Sequence, residues 1–324
     1  MEAEAGEIRR LLDGARQVLV VSHKDADGDT LGSALAMMFV VAGLGKDAVI
    51  RVPPPVPDIY EFLPGFDRVN VEPEGFTPDL VLVMDASNLE RVDRALDGLA
   101  EATPIVNIDH HVSNTRFGDV NLVVPEACST AEVTCDILHS WGIEITAEVA
   151  TNIYAGVLTD TGGFRHENTT ERALAIAGEM VSRGASAADI AMRIYKSKKL
   201  STIKLQALAM GTIAFECDDR LVHAYVTKEL LERAGASPDE TEGIIDILNS
   251  TEGLELALLF KEIGPRETKI SIRSRGQANA NVLAQGFGGG GHERAAGAEI
   301  KMPLPEAMEA VLADARRMIS DPAG

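Results

Sequence analysis

The sequence contains little cysteine, few aromatic side chains and a shortage of positive charge. Its three cysteines, Cys128, Cys135 and Cys217, are scattered and form no CxxC pair, which is typical of reduced thiols rather than of a disulfide framework. Aromatic residues make up 4% of the 324 residues, and 30 Lys and Arg stand against 50 Asp and Glu, for a net charge of −20. Such a chain lacks the basic surface that binds long duplexes and the aromatic platforms that stack single strands. Any nucleic-acid ligand should therefore be short.

Long apolar segments are missing as well. The longest apolar run, 31–44, contains Gly32, Ser33 and Gly43 and is shorter than the roughly 20 residues that span a bilayer. The segment 1–5 lacks the positive and apolar regions of a signal peptide. These features predict no membrane contact and a cytoplasmic location.

Apolar strands alternate with amphipathic helices in the first part of the chain. Continuous apolar runs at 17–22, 80–84 and 104–108 predict buried strands, with helical patterns between them at 31–42 and 89–100. Strands that alternate with helices form mostly parallel sheets, so this part is predicted to be an α/β domain with helices on both faces. Ligands of such sheets lie at the carboxyl ends of the strands.

The second part of the chain has a different pattern. A basic helix at 196–210 is predicted to link two domains, 1–195 and 211–324, and alternating strands beyond it predict a smaller α+β domain. The lysines of the linker could guide a phosphate backbone, although a solvated helix face is the simpler interpretation. Those lysines are Lys196, Lys198, Lys199 and Lys204. Further helices are predicted at 8–15, 130–141, 147–158, 170–183, 187–195 and from 304 onward, and further strands at 221–226, 254–262 and 268–273.

The segment after the first strand is dense in side chains that bind metals. His23, Asp25, Asp27 and Asp29 lie within seven residues of one another. Carboxylates this close repel one another unless a cation lies among them. Mixed His and Asp ligands suit manganese, iron, cobalt or zinc, and several hard oxygens favour manganese or magnesium. The alternative is a solvated acidic loop that caps the next helix through Asp29 or Thr30.

Two further polar groups follow strands of the same predicted sheet. Asp85 ends the second strand, and Asp109, His110 and His111 end the third. Adjacent histidines in a loop are usually ordinary polar residues, but the carboxyl ends of parallel strands meet at one edge of a sheet. The side chains are therefore expected to converge with the first motif.

Asp160 ends an apolar helix just before paired glycines. Taken alone, the segment is typical of a helix C-cap with Gly162 at the position after the cap. If it converges with Asp27, Asp29 and Asp85, however, the four carboxylates together carry a charge of −4, which two divalent cations neutralise. A bridged pair of cations activates water and positions a phosphoryl group for in-line displacement.

Near the C-terminus, two arginines precede a run of glycines. Arg273 and Arg275 alternate on a predicted strand, which would point both side chains to one face. Consecutive glycines permit positive φ, so that successive N–H groups can form an anion-binding nest. This predicts a second phosphate or nucleobase site; a flexible loop beside solvated arginines is the alternative. The candidate substrate-binding residues are Arg273, Arg275, Gly289, Gly290, Gly291 and His292.

Taken together, these motifs resemble those of the DHH phosphoesterase superfamily. The first-domain motifs are similar to its four motifs, and the segment 273–297 resembles its DHH-associated substrate-binding domain. Length and order are most similar to the bacterial nanoRNase and pAp-phosphatase group. The resemblance implies hydrolysis of very short oligoribonucleotides and of 3′-phosphoadenosine 5′-phosphate (pAp), in a cleft between two domains. Hydrolysis of cyclic di-AMP or its linear product pApA is the alternative.

The resemblance also implies a ligand set. His23 and Asp27 would hold one cation, Asp29, His110 and Asp160 the other, and Asp85 would bridge both. The cations would be two Mn²⁺ ions, with Mg²⁺ or Co²⁺ as alternatives, and the protein would form a homodimer.

Other residues receive different roles from the same resemblance. Asp109 would fix the tautomer of an imidazole, and His111 would contact the scissile phosphate as a catalytic residue. Asp25 is expected not to be a ligand, and Arg165 and His166 lie near enough in sequence to Asp160 to support it.

Three other functions share parts of this pattern. A nucleotide sensor would bind without turnover, but no ligand position is replaced. An inorganic pyrophosphatase would carry a different basic signature in its second domain. A processive exonuclease would bring further nucleic-acid-binding modules, and neither the charge of −20 nor the 4% aromatic content supplies them.

Overall fold

The computed structural model describes residues 1–196, 199–241 and 243–320. The chain divides into two compact units, Met1–Ser197 and Lys198–Gly324. Within the described ranges, no helix is both long and apolar enough to cross a membrane.

The described part of the first unit is built on a five-stranded sheet in which all strands run parallel, in the order β2-β1-β3-β4-β5. Its strands are β1 (Gln17–Val21), β2 (Asp47–Arg51), β3 (Leu80–Met84), β4 (Ile105–Asp109) and β5 (Val120–Val123). Its helices are α1 (Glu2–Gly14), α2 (Gly28–Gly43), α3 (Leu89–Val92), α4 (Thr130–Ser140), α5 (Ala147–Asp160), α6 (Glu171–Ser182) and α7 (Ala187–Lys196). The α/β class predicted for this part is confirmed.

Both faces of this sheet are covered, which explains the continuous apolar runs. Because side chains alternate along a strand, Val18 and Val20 of β1 face the larger core, and Leu19 and Val21 face a smaller one. The larger core also contains α2 and α5, which supply Leu35 and Ile153 among others. A parallel sheet buried on both faces leaves its strand ends as the place where polar side chains can gather.

The described part of the second unit holds a mixed six-stranded sheet in the order β10-β11-β9-β8-β7-β6, in which only the β7–β8 pair is parallel. Its strands are β6 (Ala214–Glu216), β7 (Leu221–Val226), β8 (Leu256–Gly264), β9 (Glu267–Ser274), β10 (Gly290–Gly291) and β11 (Ala295–Ile300). Its helices are α8 (Leu200–Met210), α9 (Lys228–Ala234), α10 (Ile244–Asn249), α11 (Ala280–Gln285) and α12 (Leu304–Ser320). This is the smaller domain of strands and helices that the pattern predicted.

The helix predicted over 89–100 is shorter than expected. α3 ends at Val92, a 3-10 turn follows over Asp93–Leu96, and Gly98 has φ +82°. The extended backbone of Asp97 ends the helical path, and the left-handed glycine after it turns the chain away, which the apolar spacing alone did not reveal.

The helix predicted over 196–210 also differs. α7 ends at Lys196, residues 197 and 198 (and with them Lys198) lie outside the described residues, and α8 begins only at Leu200. Leu205 and Ala209 of α8 are fully buried in one core of the second unit. The helix is therefore part of that unit's core rather than a free connector.

His223 of β7 is a titratable side chain in the second unit's core. The residue is 7% exposed, its ring stands edge-on to Phe260, and Nε2 lies 3.4 Å from Oε1 of Glu216. Burial lowers the pKa of His223, and the carboxylate of Glu216 opposes this only in part.

The lowered pKa of His223 predicts a pH dependence of stability. Because the unfolded chain binds the proton more tightly, the free energy of unfolding of this unit should fall as the pH drops from about 6.5 to the folded pKa. Below the folded pKa both states are protonated, and no further loss from this group is expected. Urea unfolding between about pH 8 and pH 5, followed in wild type and His223→Gln, should show a smaller loss in the variant. The exposed His292→Gln is the matched control, and equal pH slopes in all three proteins would contradict the prediction.

Candidate active site

The first motif lies in the turn between β1 and α2. Asp27 is the N-cap of α2, since its Oδ1 accepts hydrogen bonds from the N–H groups of Asp29 at 3.0 Å and Thr30 at 2.9 Å. The cap was expected at Asp29 or Thr30, so the observed helix begins earlier. Asp25 is exposed and has φ +61°, whereas His23 and Asp29 are buried. Burial thus separates Asp25 from the two buried members of the motif.

Asp85 leaves the end of β3 with a strained backbone. Its φ is +60°, a conformation that non-glycine residues rarely adopt, and its N–H donates to the carbonyl of Ile108 at 2.9 Å. Strain of this kind costs of order 1–3 kcal/mol and persists where the surrounding structure requires it. The turn places a side chain that is only 3% exposed among the imidazoles.

The structure brings the six predicted ligands together at the carboxyl edge of the sheet. Nε2 of His23 lies 3.3 Å from Oδ2 of Asp85. Nε2 of His110 lies 3.4 Å from Oδ2 of Asp160, 3.8 Å from Oδ1 of Asp85 and 3.9 Å from Oδ2 of Asp29. In each of three groups of residues, one donor atom per residue lies within 4.8 Å of the others; the groups are His23, Asp27 and Asp85; Asp29, His110 and Asp160; and Asp85, His110 and His111. Several imidazole nitrogens and carboxylate oxygens this close together are typical of a site that binds divalent cations.

The buried carboxylates perturb one another. Burial, together with the charges of Asp85, Asp160 and Asp27, raises the pKa of Asp29 well above its ordinary value. Burial raises the pKa of Asp160 to about 6, although the nearby His110 acts in the opposite direction. Burial also acts to raise the pKa of Asp85, but the hydrogen bond and charge of His23 and the other imidazoles outweigh it and lower the pKa. The centre thus holds more negative charge than its imidazoles compensate.

Asp109 holds the adjacent histidines in place. Its Oδ1 accepts hydrogen bonds from Nδ1 of His111 at 2.7 Å and from the N–H of His110 at 2.8 Å, and its Oδ2 accepts one from Nδ2 of Asn114 at 2.6 Å. The hydrogen bond that His111 donates to Asp109 raises the pKa of His111. Because Nδ1 of His111 is engaged with Asp109, Nε2 of the same ring is available to contact an external group.

Two threonines that the sequence reasoning missed support the carboxylates. Oγ1 of Thr30 donates to Oδ2 of Asp85 at 2.8 Å and lies 2.7 Å from Nε2 of His23. At the start of α4, Thr130 donates its N–H to Oδ2 of Asp29 at 2.7 Å and its Oγ1 to Oδ1 of Asp85 at 2.9 Å. The N–H of Ala131 donates to Oδ1 of Asp29 at 2.8 Å, so the N-terminus of α4 faces a carboxylate, as the helix dipole favours. The only sign of this role of Thr130 in the sequence was the pair Ser129 and Thr130 at the start of the predicted helix.

Arg91 is a further residue at the site that the sequence did not indicate. Its Nη2 lies 3.1 Å from Nδ1 and 3.2 Å from Nε2 of His23, and its carbonyl accepts the N–H of Lys24 at 2.7 Å. The residue belongs to the short helix α3, which follows Asp85. Nothing in its sequence surroundings distinguishes it from a solvated arginine.

Asp160 closes the site from the end of α5. Gly162 has φ +58°, and the N–H groups of Gly162 and Gly163 donate to the carbonyls of Thr159 and Leu158, so the C-cap interpretation is correct as well. Nδ1 of His166 lies 3.3 Å from the backbone oxygen of Asp160, and Arg165 donates to the carbonyl of Gly162 at 2.6 Å. Both residues support the turn rather than the carboxylate.

In the second unit, only one of the two predicted arginines lies on the strand itself. Arg273 lies on β9, with Nε 3.7 Å from Oδ1 of Asp246. Arg275 lies beyond the end of β9, and its Nη1 donates to the carbonyls of Asn249 at 3.3 Å and Thr251 at 3.4 Å. Both side chains therefore reach α10 or the turn that follows it, although Arg275 lies beyond the strand and is held by backbone carbonyls.

The glycine run does not form a continuous nest. Gly290 and Gly291 form β10, which pairs with β11, and His292 is exposed. The N–H groups of Gly288 and Gly289 donate to the carbonyls of Gln285 and Ala284, and that of His292 donates to the carbonyl of Ala295. Gly289 has a structural reason to be glycine, since a Cβ there would lie 2.1 Å from the oxygen of Gly297.

Comparison with known proteins assigns both parts of the chain to known domain families. Residues 17–157 match the model of the DHH family, N-terminal domain, and residues 218–321 match the DHHA1 domain. The bifunctional oligoribonuclease and PAP phosphatase NrnA of Thermus thermophilus is 34% identical over 97% of this chain and 93% of its own length. The protein of the same name from Bacillus subtilis is 27% identical over 87% of this chain and 89% of its own.

A solved structure is similar over nearly the full length of the chain. The crystal structure of an exopolyphosphatase-related protein from Bacteroides fragilis is similar with a TM-score of 0.89 and 26% identity, covering 99% of this chain and 98% of that one. The chain therefore belongs to the DHH family, with a DHHA1 domain as its second part. The family resemblance inferred from the motifs is confirmed.

Proposed function

We propose that this protein is a metal-dependent phosphohydrolase that degrades very short oligoribonucleotides to mononucleotides and converts pAp to AMP. The observation that carries the proposal is the convergence of His23, Asp27, Asp29, Asp85, His110 and Asp160 at one edge of the sheet, with His23, Asp29 and Asp85 buried and Asp27 exposed. The relatives named as oligoribonuclease and PAP phosphatase match nearly the whole chain. Homodimeric assembly and a cytoplasmic location belong to the same proposal.

The donor set fits two divalent cations. Burial and mutual repulsion raise the pKa of Asp29 and of Asp160, which is the environment that a cation relieves. His23 and Asp27 would hold one cation, Asp29, His110 and Asp160 the other, and Asp85 would contact both. The mixture of imidazole and carboxylate favours Mn²⁺, with Mg²⁺ or Co²⁺ as alternatives. Such cations supply Lewis acidity toward water and the phosphoryl oxygens.

His111 and Asp109 supply the proton chemistry of this proposal. Asp109 holds Nδ1 of His111 through a 2.7 Å hydrogen bond and raises the pKa of its ring. A ring protonated on Nε2 as well can donate to a phosphate oxygen or to the leaving oxygen. Asp109 is thus a positioning residue, and Asn114 fixes it in turn.

The second unit would bind the distal phosphate or base of the substrate. The candidate residues for this contact are Arg273, Arg275, Gly289, Gly290, Gly291 and His292. Arg273 and His292 are the stronger ones, because Arg275 already donates to two backbone carbonyls and the backbone of the glycine run is largely paired. The excess of negative charge in the chain, −20 overall, disfavours long RNA.

A substrate panel tests the proposal. Purified protein in Mn²⁺ buffer would be given pAp, a 5′-phosphorylated diribonucleotide, a long single-stranded RNA or cyclic di-AMP at equal concentration, and product release would be measured. We expect rapid turnover of the first two and little of the others. Preference for cyclic di-AMP would transfer the protein to second-messenger hydrolysis, and binding without any hydrolysis would contradict the enzymatic proposal.

A further inference from the structure

A second cluster of metal-type side chains lies between α4 and α6, outside the residues proposed for catalysis. Cys135 and His139 are four residues apart on α4, which places them on one face of the helix, and Glu179 faces them from α6. Sγ of Cys135 lies 4.0 Å from both ring nitrogens of His139, and Nε2 of His139 lies 3.0 Å from Oε1 of Glu179. One ligand atom from each of the three lies within 4.8 Å of the others.

These distances are close to those of a tetrahedral zinc site. With Zn–S of about 2.3 Å and Zn–N and Zn–O of about 2.0–2.1 Å, ligand atoms lie roughly 3.3–3.6 Å apart. The sulfur would have to move toward Nε2 of His139 by roughly 0.5 Å and the carboxylate away by less, and Sγ of Cys135 and the carboxylate oxygen of Glu179, which lie within 4.8 Å of each other, would have to reach a similar spacing. Thiolate, imidazole and carboxylate are the three ligand types that Zn²⁺ takes in proteins.

Burial of the cluster is graded in a way that suits a bound cation. Cys135 is fully buried, whereas the side chains of His139 and Glu179 are 38% and 26% exposed. The three donors therefore approach a cation from the protein side, and solvent can supply a fourth ligand. Nη2 of Arg183 lies 3.6 Å from Oε1 of Glu179, and Asp136 pairs with Arg172 beside the cluster. A thiolate and a carboxylate would bring the net charge of a Zn²⁺ complex to zero.

We propose that Cys135, His139 and Glu179 bind one Zn²⁺ ion that cross-links α4 and α6. The site goes beyond the proposed function and does not depend on it. The cation would replace the 3.0 Å hydrogen bond between Nε2 of His139 and Oε1 of Glu179. Burial raises the pKa of the Cys135 thiol to about 12, so binding also displaces a thiol proton.

The proposed zinc site is separate from the proposed catalytic centre, but residues of α4 contribute to both. His139 lies roughly 13 Å along α4 from Thr130, at about 1.5 Å per residue. Thr130 and Ala131 at the other end of the helix donate hydrogen bonds to Asp29 and Asp85. Zinc at the far end would restrain the helix that orients two of the proposed catalytic ligands.

Cobalt substitution provides a test that is independent of activity. Co²⁺ in a site with thiolate ligation gives a sulfur-to-cobalt charge-transfer band in the near ultraviolet, and the residues proposed for catalysis contain no sulfur donor. We expect titration of the full chain with Co²⁺ to produce this band, and Zn²⁺ to abolish it by displacement. Zn²⁺ should also raise the melting temperature.

Cysteine variants assign the band. Cys135→Ala should lose it, and the matched variants Cys128→Ala and Cys217→Ala should keep it. Because Cys135 is buried and its truncation could impair folding, His139→Gln at the more exposed position is the second variant. It should weaken Co²⁺ binding at this site by at least about 10-fold. Absence of the band in wild type at saturating Co²⁺, or its persistence in Cys135→Ala, would overturn the proposal.

Discussion

Replacing Asp85 with asparagine should reduce turnover of pAp and of the diribonucleotide by about 10³-fold or more. Oδ1 and Oδ2 of Asp85 together contact the imidazoles and the hydroxyls of Thr30 and Thr130, and the residue belongs to two of the three donor groups. Asparagine keeps the shape but removes the charge that both cations would share. We therefore expect the loss mainly in kcat, because the residues of the second unit that we propose to bind the substrate are untouched.

Steady-state kinetics over a range of Mn²⁺ concentrations would measure the effect of Asp85→Asn. Circular dichroism and urea unfolding should show a folded variant, since the side-chain volume is unchanged. Asp67→Asn, at an exposed carboxylate of the same unit, is the matched control and should retain full activity. Retention of more than about a tenth of wild-type turnover in Asp85→Asn would show that this carboxylate is not central to catalysis.

Replacing Gly156 with alanine should damage both stability and activity. A Cβ at this position would lie 2.6 Å from Cβ of Ala131 and 2.7 Å from Oδ1 of Asp29, too close for either contact to remain. Overpacking of this kind costs about 1–3 kcal/mol of unfolding free energy. Since Asp29 must move, and a displacement of about 1 Å at a reacting centre can cost about 100-fold in rate, a comparable loss of turnover is expected.

Gly178→Ala provides the control for this prediction. Gly178 lies inside α6, and a Cβ there would meet nothing within 4 Å. Alanine at an open helical position should leave activity unchanged and stabilise the helix by up to about 1 kcal/mol. Urea unfolding and kcat of the two variants should therefore diverge, and similar values for both would contradict the argument that Gly156 is required by the close approach to Asp29.

Several features could be predicted because they depend on short-range pattern. The runs at 18–21 and 80–84 are apolar throughout, which is typical of strands buried on both faces, so β1 and β3 could be predicted. The polar residues at the strand ends could be expected to converge, because parallel strands end at one edge of their sheet. The chemistry of Asp85 and His110 was therefore visible before their distances were known.

Other features could not be predicted, because they depend on partners distant in the chain. Thr130 supports Asp29 only because α4 begins against the turn of the first motif, 101 residues away. The glycine run was expected to be a nest, but pairing of Gly290 and Gly291 with β11 gives it another conformation. Local permissiveness at glycine does not select among conformations, whereas strand pairing does.

The sequence by itself determined the α/β and α+β classes of the two units, the residue types of the centre and their family, because periodicity and motif spacing are local properties. Only the tertiary structure decided that Asp85 has a left-handed backbone, that Arg91 contacts His23, that Gly156 permits Asp29 its position and that Cys135 meets Glu179. Each of these depends on the packing of elements that are separate in sequence, and close packing admits few alternatives once the elements meet.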